Sequence, residues 1–156
     1  MKINKSNYIK LVLLIAVTIA ITFLFVYFYN EIKNKNLMAS YLDQITVEDI
    51  DQYILEHPDT ILYIKYKDQN LSLFESDLKR KVEKNNLSDD IVYVLYGSND
   101  ISAINKILRK YNFNKDISDN SLILVMIDKK IQTYKIISKN EKMDDFIDYE
   151  VFKWLI

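Results

Sequence analysis

Residues 61–96 read ILYIKYKDQNLSLFESDLKRKVEKNNLSDDIVYVLY, and this stretch decides the predicted fold. Its two ends, 61–66 and 91–96, are runs of β-branched and aromatic residues, which are typical of buried strands. Between them an apolar stripe recurs at helical spacing, with charged residues on the opposite face; the stripe is Leu71, Phe74, Leu78 and Val82. Two strands joined by a helix are expected to run parallel, with a right-handed crossover.

The pattern continues on both sides of this unit. Thr46 is the predicted N-cap of an earlier helix that Pro58 ends, and Asp100 is the predicted cap of a helix that follows the second strand. Residues 122–127 and 131–137 are two further strands, and the three residues between them predict an antiparallel hairpin. Helical spacing then resumes at Met143, Phe146, Ile147, Val151, Trp154 and Leu155. The order predicts an α/β domain, residues 41–156, with a mixed sheet flanked by helices.

The amino-terminal part predicts a membrane anchor. Residues 11–29 contain no charge and, at about 28 Å as a helix, match a bilayer core of roughly 30 Å. A cleaved signal peptide is the competing interpretation, but the run is longer than a signal core and has no small-x-small site after it. Residues 1–10 then form a short basic tail, residues 11–29 a transmembrane helix in contact with lipid, and residues 30–40 a polar linker.

Flanking lysines predict the orientation of this helix. Three lysines precede the apolar run and two follow it, which favours a cytoplasmic amino terminus and an extracytoplasmic domain. The chain has nineteen lysines against two arginines, a bias typical of AT-rich bacterial genomes. We therefore expect a single-pass protein of a bacterial cell membrane.

Composition excludes several chemistries. The chain has no cysteine and one each of glycine, proline and histidine, so disulfides, thiolate nucleophiles, Cys-type zinc sites and Gly-rich phosphate loops are ruled out. Residues 30–156 carry 18 basic and 22 acidic residues, a net charge of −4, with no basic stripe. A nucleic-acid partner is therefore not expected, because neutralising phosphates supplies most of that affinity. No cofactor or metal is expected either.

From Val47 to Ile156, the order and lengths of the elements resemble the thioredoxin-like superfamily. In its small membrane-anchored members, the first long strand ends in a Cys-x-x-Cys loop, and a Phe often lies three residues past the second cysteine. With Phe74 as that residue, the resemblance places the degenerate redox loop on Asp68, Gln69, Asn70 and Leu71. It places the family's cis-proline, which faces the cysteines, at Asn120 or Ser121.

The departures from the family bear on function. Both cysteines and the facing proline are missing, and thiol–disulfide exchange needs one thiolate to attack and a second thiol to resolve the mixed disulfide. The resemblance thus implies a thioredoxin-like domain that is redox-inactive. We expect no catalytic residues, and a groove retained near Asp68 for a protein partner is one interpretation of the loop. The other is that Asp68 or Asn70 caps the following helix.

Other candidate residues have ordinary structural explanations. His57 lies in a helix-to-strand turn, and Asp89-Asp90 and Asp144-Asp145 lack the alternating oxygen ligands of a calcium loop. Phe152 and Ile156 lie off the main stripe of the last predicted helix, so they could contact a partner.

The leading hypothesis is a membrane-anchored, catalytically inactive accessory or scaffold subunit that binds another protein. One alternative is an enzyme of unfamiliar type that uses carboxylates or tyrosines near Asp68. Another is a structural subunit whose span packs through Ala16 and Ala20, which are spaced like small-xxx-small contacts.

Overall fold

The computed structural model describes residues 5–35 and 37–138. The chain divides into two compact units, residues 1–36 and residues 37–156. The predicted last helix, with Asp144, Asp145, Phe152 and Ile156, lies outside the described residues.

The first unit contains one helix, α1, from Lys5 to Lys35. Its segment Ile9–Tyr29 has a mean hydropathy of 2.8 and is long and apolar enough to cross a membrane. The hydroxyl groups of Thr18 and Thr22 donate hydrogen bonds to the carbonyls of Leu14 and Thr18, each at 2.9 Å. These hydroxyls are therefore satisfied within the helix, as an apolar environment requires.

The second unit is built on a five-stranded mixed sheet with the strand order β1-β3-β2-β4-β5. Its strands are β1 Asp43–Ile45, β2 Thr60–Tyr66, β3 Ile91–Tyr96, β4 Ser121–Ile127 and β5 Lys130–Ile137. The strand β3 runs parallel to both β1 and β2, whereas β4 is antiparallel to β2 and to β5. The predicted α/β domain with a mixed sheet, a parallel β2–β3 pair and an antiparallel β4–β5 hairpin is confirmed. The strand β1 was not predicted, because three residues are too few to show a period.

Helices cover both faces of this sheet. They are α2 Ile50–Glu56, α3 Ser72–Asn85 and α4 Ile101–Lys110. Helix α3 packs on one face, where its apolar stripe meets Tyr63 and Tyr93. Helices α2 and α4 pack on the other face, against the strand residues that point the opposite way, namely Leu62, Ile64, Val92, Val94, Leu122 and Leu124. Because successive side chains of a strand point to opposite faces, the sheet has a hydrophobic core on each face.

The two predicted caps differ in detail from the structure. Helix α2 begins at Ile50, so Thr46 is not its N-cap. Instead, the Asp49 carboxylate accepts a hydrogen bond from the Thr46 hydroxyl at 2.6 Å and closes a turn that precedes the helix. Asp100 does occupy the N-cap of α4, but its carboxylate accepts from the Gly97 N–H at 2.7 Å. Both carboxylates reach back along the chain, as the second half of a capping box does.

Candidate functional site

The loop between β2 and α3 contains the four residues that the resemblance assigns to the redox-loop positions. Its backbone is held by β3, because the Lys67 N–H donates to the Tyr96 carbonyl at 2.9 Å. Asp68 is exposed at the tip of the loop, whereas Gln69 and Leu71 are buried. The four positions therefore have different environments and do not form one surface.

Asn70 helps to start α3. Its Oδ1 accepts a hydrogen bond from the Ser72 N–H at 3.2 Å, while Leu71 occupies the N-cap position without a side-chain bond of its own. A helix amino terminus leaves N–H groups without partners, and this side chain satisfies one of them. The capping interpretation of Asn70 is therefore supported.

The side chain of Gln69 joins the loop to the hairpin. Its Nε2 donates to the Ile137 carbonyl at 2.8 Å. Its Oε1 accepts from the Ser121 N–H at 2.8 Å and also from the Ser121 hydroxyl. The Ser121 oxygen in turn accepts from the Tyr66 N–H at 3.0 Å. This network, which we call the Gln69–Ser121 lock, connects β2, the loop, β4 and β5.

The structure thus brings together the two sets of positions that the resemblance places opposite each other. Gln69 is 5% exposed and Ser121 is fully buried. Next to Ser121, the Asn120 carbonyl accepts a hydrogen bond of 2.6 Å from the Tyr96 hydroxyl. No peptide bond within the described residues is cis. The hydrogen bonds between the two sets are internal, so Gln69 and Ser121 stabilise the fold at this point.

A second polar group lies in the core beneath α3. This buried polar cluster consists of Tyr63, Lys65, Glu75 and Tyr93. Lys65 Nζ lies 2.8 Å from Glu75 Oε1, and the Tyr63 hydroxyl donates to the same oxygen at 3.0 Å. Glu75 is fully buried and Lys65 is 1% exposed. Glu75 Oε2 and the Tyr93 hydroxyl have no hydrogen-bond partner within the described residues.

Burial changes the acidity of these groups. It raises the pKa of the Glu75 carboxyl, although the Lys65 charge and the hydrogen bonds from Lys65 and Tyr63 act in the opposite direction. Burial and the Glu75 charge also raise the pKa of both tyrosine hydroxyls. A carboxyl with a raised pKa is what acid–base chemistry requires. Glu75, however, has no exposed surface and does not line the groove described below.

The buried polar cluster was missed in the sequence, although a signal for it exists. Glu75 lies four residues after Leu71 and three before Leu78, so it belongs to the apolar stripe of α3. The expectation that the charges of this helix lie on its far face is wrong for Glu75. The ion pair with Lys65 offsets part of the cost of burying the carboxylate.

The remaining sequence candidates lie apart from the loop. His57 is exposed, and its ring stacks on Tyr53 with 4.4 Å between the ring centroids. Asp89 and Asp90 belong to a single 3₁₀ turn before β3. Across residues 5–35 and 37–138, no group of three or more His, Asp or Glu could hold a metal ion.

A basic groove lies beside β5. Residues 110–115, which end α4 and follow it, form one wall, and residues 129–134, from the hairpin turn and β5, form the other. Its volume is about 840 Å³. Lys110, Lys115, Lys129 and Lys130 contribute four amino groups, and no described Asp or Glu lines it.

One of these four lysines has an acidic partner close by. Lys110 forms an ion pair with Asp51, whose other oxygen accepts from the Tyr111 hydroxyl at 2.9 Å. These two hydrogen bonds lower the pKa of the Asp51 carboxyl. None of the ion pairs between described residues involves Lys115, Lys129 or Lys130. The groove therefore has a net positive charge in a domain whose net charge is negative.

Aromatic rings form part of the groove wall. Phe113 and Tyr134 meet edge to face, with 5.0 Å between their centroids. Lys115 Nζ lies 5.1 Å from the centroid of the Tyr134 ring, within the range of a cation–π contact. Through these contacts, the segment that follows α4 packs against Tyr134 of β5. The groove was not predicted, because its lysines come from two separate segments and form no run in the sequence.

No protein-family model matches the chain, and no curated protein matches it. The residues and geometry described above therefore provide the support for a functional proposal.

Proposed function

We propose that this protein is a single-pass membrane protein whose thioredoxin-like, redox-inactive domain binds another protein close to the membrane, as an accessory or scaffold subunit. The basic groove beside the last strand of the sheet carries this proposal. It has a volume of about 840 Å³ and combines charged, aromatic and backbone groups that can contact a polypeptide.

The membrane part of the proposal is supported by α1. Twenty-one consecutive residues of this helix form an apolar segment about 32 Å long, enough for a bilayer core of roughly 30 Å. Three lysines before residue 11 and two after residue 29 favour a cytoplasmic amino terminus and an extracytoplasmic domain.

The thioredoxin-like part is supported by the order of elements and by the Gln69–Ser121 lock. The strand β2, helix α3 and parallel strand β3 are followed by α4 and an antiparallel hairpin, which is the order on which the resemblance rests. The lock also joins the two sets of positions that the resemblance places face to face. Because the chain contains no sulfur nucleophile, we propose binding in place of thiol–disulfide exchange.

The orientation can be tested with single cysteines, since the chain has none of its own. Ser40 is exposed and follows α1, whereas Ser6 precedes the apolar segment. In intact cells, a membrane-impermeant maleimide is expected to label S40C and to label S6C only after permeabilisation. The opposite labelling would place the domain in the cytoplasm, and labelling of neither residue in permeabilised cells would indicate that both thiols are shielded.

Binding can be tested by capture of the full-length protein from native membranes in mild detergent. We expect a near-stoichiometric protein partner that is lost from the groove variant K115E/K130E. The matched control K84E/K106E reverses two exposed lysines outside the groove, with the same change in net charge, and is expected to retain the partner.

Two other results would change the proposal. If wild-type protein retains no partner, a binding function is contradicted, and the enzyme alternative gains weight. If both variants retain the partner but replacement of the span by an unrelated apolar helix releases it, the contact lies in the membrane. The structural-subunit alternative through Ala16 and Ala20 would then be the better explanation.

A further inference from the structure

We infer that the basic groove accepts an extended, acidic segment of the partner, which adds to the sheet as a strand along the outer edge of β5. This inference rests on the proposed binding function and specifies the chemistry of the partner.

The position of β5 provides the backbone part of the argument. It has eight residues and is the last strand of the sheet, with β4 on its inner side and no described strand on its outer side. An edge strand presents alternate N–H and C=O groups with which another chain can pair. The strand residues that line the groove, 130–134, belong to this edge strand.

The positive charge of the groove favours an acidic partner segment. Lys115, Lys129 and Lys130 are exposed, and no described carboxylate lies between them in the groove. Residues 30–156 as a whole carry a net charge of −4. An acidic segment is therefore repelled by most of the domain and attracted to this groove, which favours both the location and the orientation of the contact.

The shape of the groove favours a strand-like occupant. The strand residues 130–134 span about 17 Å when extended, so about five residues of a partner can lie along them, on either side of Gln132, the extra residue that shifts the register between β4 and β5. In an added strand, alternate side chains face the same way. Acidic side chains at alternate positions of the partner can therefore reach the lysines of the groove. The backbone of the partner strand can at the same time pair with β5. The partly exposed Tyr134 ring, which packs edge to face on the buried Phe113, supplies apolar surface in the groove wall.

The test uses full-length protein in nanodiscs of uncharged lipid and a fluorescein-labelled, end-blocked peptide of eight alternating Glu and Val residues. Wild-type protein is expected to bind this peptide, with affinity that falls as salt rises. The variant K115E/K130E is expected to bind about tenfold more weakly or worse, and the control K84E/K106E within about threefold of wild type. A peptide of the same sequence with every backbone nitrogen methylated has no N–H to donate at either edge and cannot form the ladder, and it is expected to bind about tenfold more weakly.

Each other outcome overturns part of the inference. Equal losses in K115E/K130E and K84E/K106E would show that net charge, and not the groove, attracts the peptide. Equal binding of the methylated peptide would exclude strand addition. Vesicles of phosphatidylglycerol that bind wild type but not K115E/K130E, with no peptide bound, would identify the groove as a lipid-headgroup surface. If K115E/K130E loses the natural partner but wild type does not bind the acidic peptide, the partner chemistry is wrong and the binding function stands.

Discussion

A methionine in place of Lys65, the variant K65M, is expected to lower the free energy of unfolding by about 3–5 kcal/mol at neutral pH. Lys65 lies 2.8 Å from a Glu75 carboxylate that has no exposed surface. Removing the ammonium group leaves a negative charge in the core with only the Tyr63 hydroxyl as a described hydrogen-bond donor. Breaking a buried ion pair from one side costs more than the pair itself contributes, because the remaining charge is uncompensated.

The effect of K65M is expected to depend on pH. Burial places the pKa of Glu75 in the folded protein above its value in the unfolded chain. Between these two pKa values the folded state binds more protons, so the free energy of unfolding falls as the pH rises through that interval. Lys65 normally lowers this pKa, and its removal extends the interval upward. The difference between K65M and wild type should therefore be smaller at about pH 5 than at about pH 8.

Urea denaturation of the full-length protein in mild detergent, followed by near-ultraviolet circular dichroism of the buried tyrosines, measures this effect. The exposed control K84M should stay within about 0.5 kcal/mol of wild type. The double variant K65M/E75L should recover most of the loss, since an apolar replacement of both groups leaves no uncompensated charge, although the Tyr63 hydroxyl loses its acceptor. A K65M protein within about 1 kcal/mol of wild type at both pH values would contradict this account of the core.

A leucine in place of Gln69, the variant Q69L, is expected to lower the free energy of unfolding by about 2–4 kcal/mol. The Gln69 amide donates to the Ile137 carbonyl and accepts from the Ser121 N–H, each at 2.8 Å. Leucine has a similar size but can neither donate nor accept a hydrogen bond. A buried N–H and a buried C=O would then lose their partner, at about 1–2 kcal/mol for each group.

The same denaturation experiment tests Q69L, with D68N as the matched control. Asp68 is the adjacent residue of the same loop but is exposed, and the change should remain within about 0.5 kcal/mol. Similar losses in both variants would indicate a general sensitivity of the loop. No loss in Q69L would show that the Gln69–Ser121 lock does not stabilise the fold.

The two residues also show how far the candidate site could be predicted. The resemblance places Gln69 and Ser121 in facing positions, and the structure joins them by hydrogen bonds. Nothing in the local pattern around Gln69 indicates that its side chain is buried, because a polar residue in a break between a strand and a helix is normally exposed. Its burial depends on Ser121, which lies 52 residues away in the chain.

Periodicity and composition were sufficient for the features that depend on neighbouring residues. They predicted the strands β2, β3, β4 and β5, the helices α3 and α4, and the apolar segment of α1. These are properties of a period, a length or a residue type, so they can be read along the chain. The short β1 and the start of α2 at Ile50 were missed because their patterns extend over too few residues.

Contacts between distant residues required the folded domain. A helical or strand period assigns a side chain to a face, but it does not say which group lies opposite on the next element. Lys65 and Glu75 form a buried ion pair only when α3 packs on β2. Gln69 forms its hydrogen bonds with Ser121 only when β4 pairs with β2. The lysines of the basic groove come together because the end of α4 lies beside the hairpin. Which charged groups lie next to one another depends on how the helices and strands pack, and the order of residues along the chain does not show it.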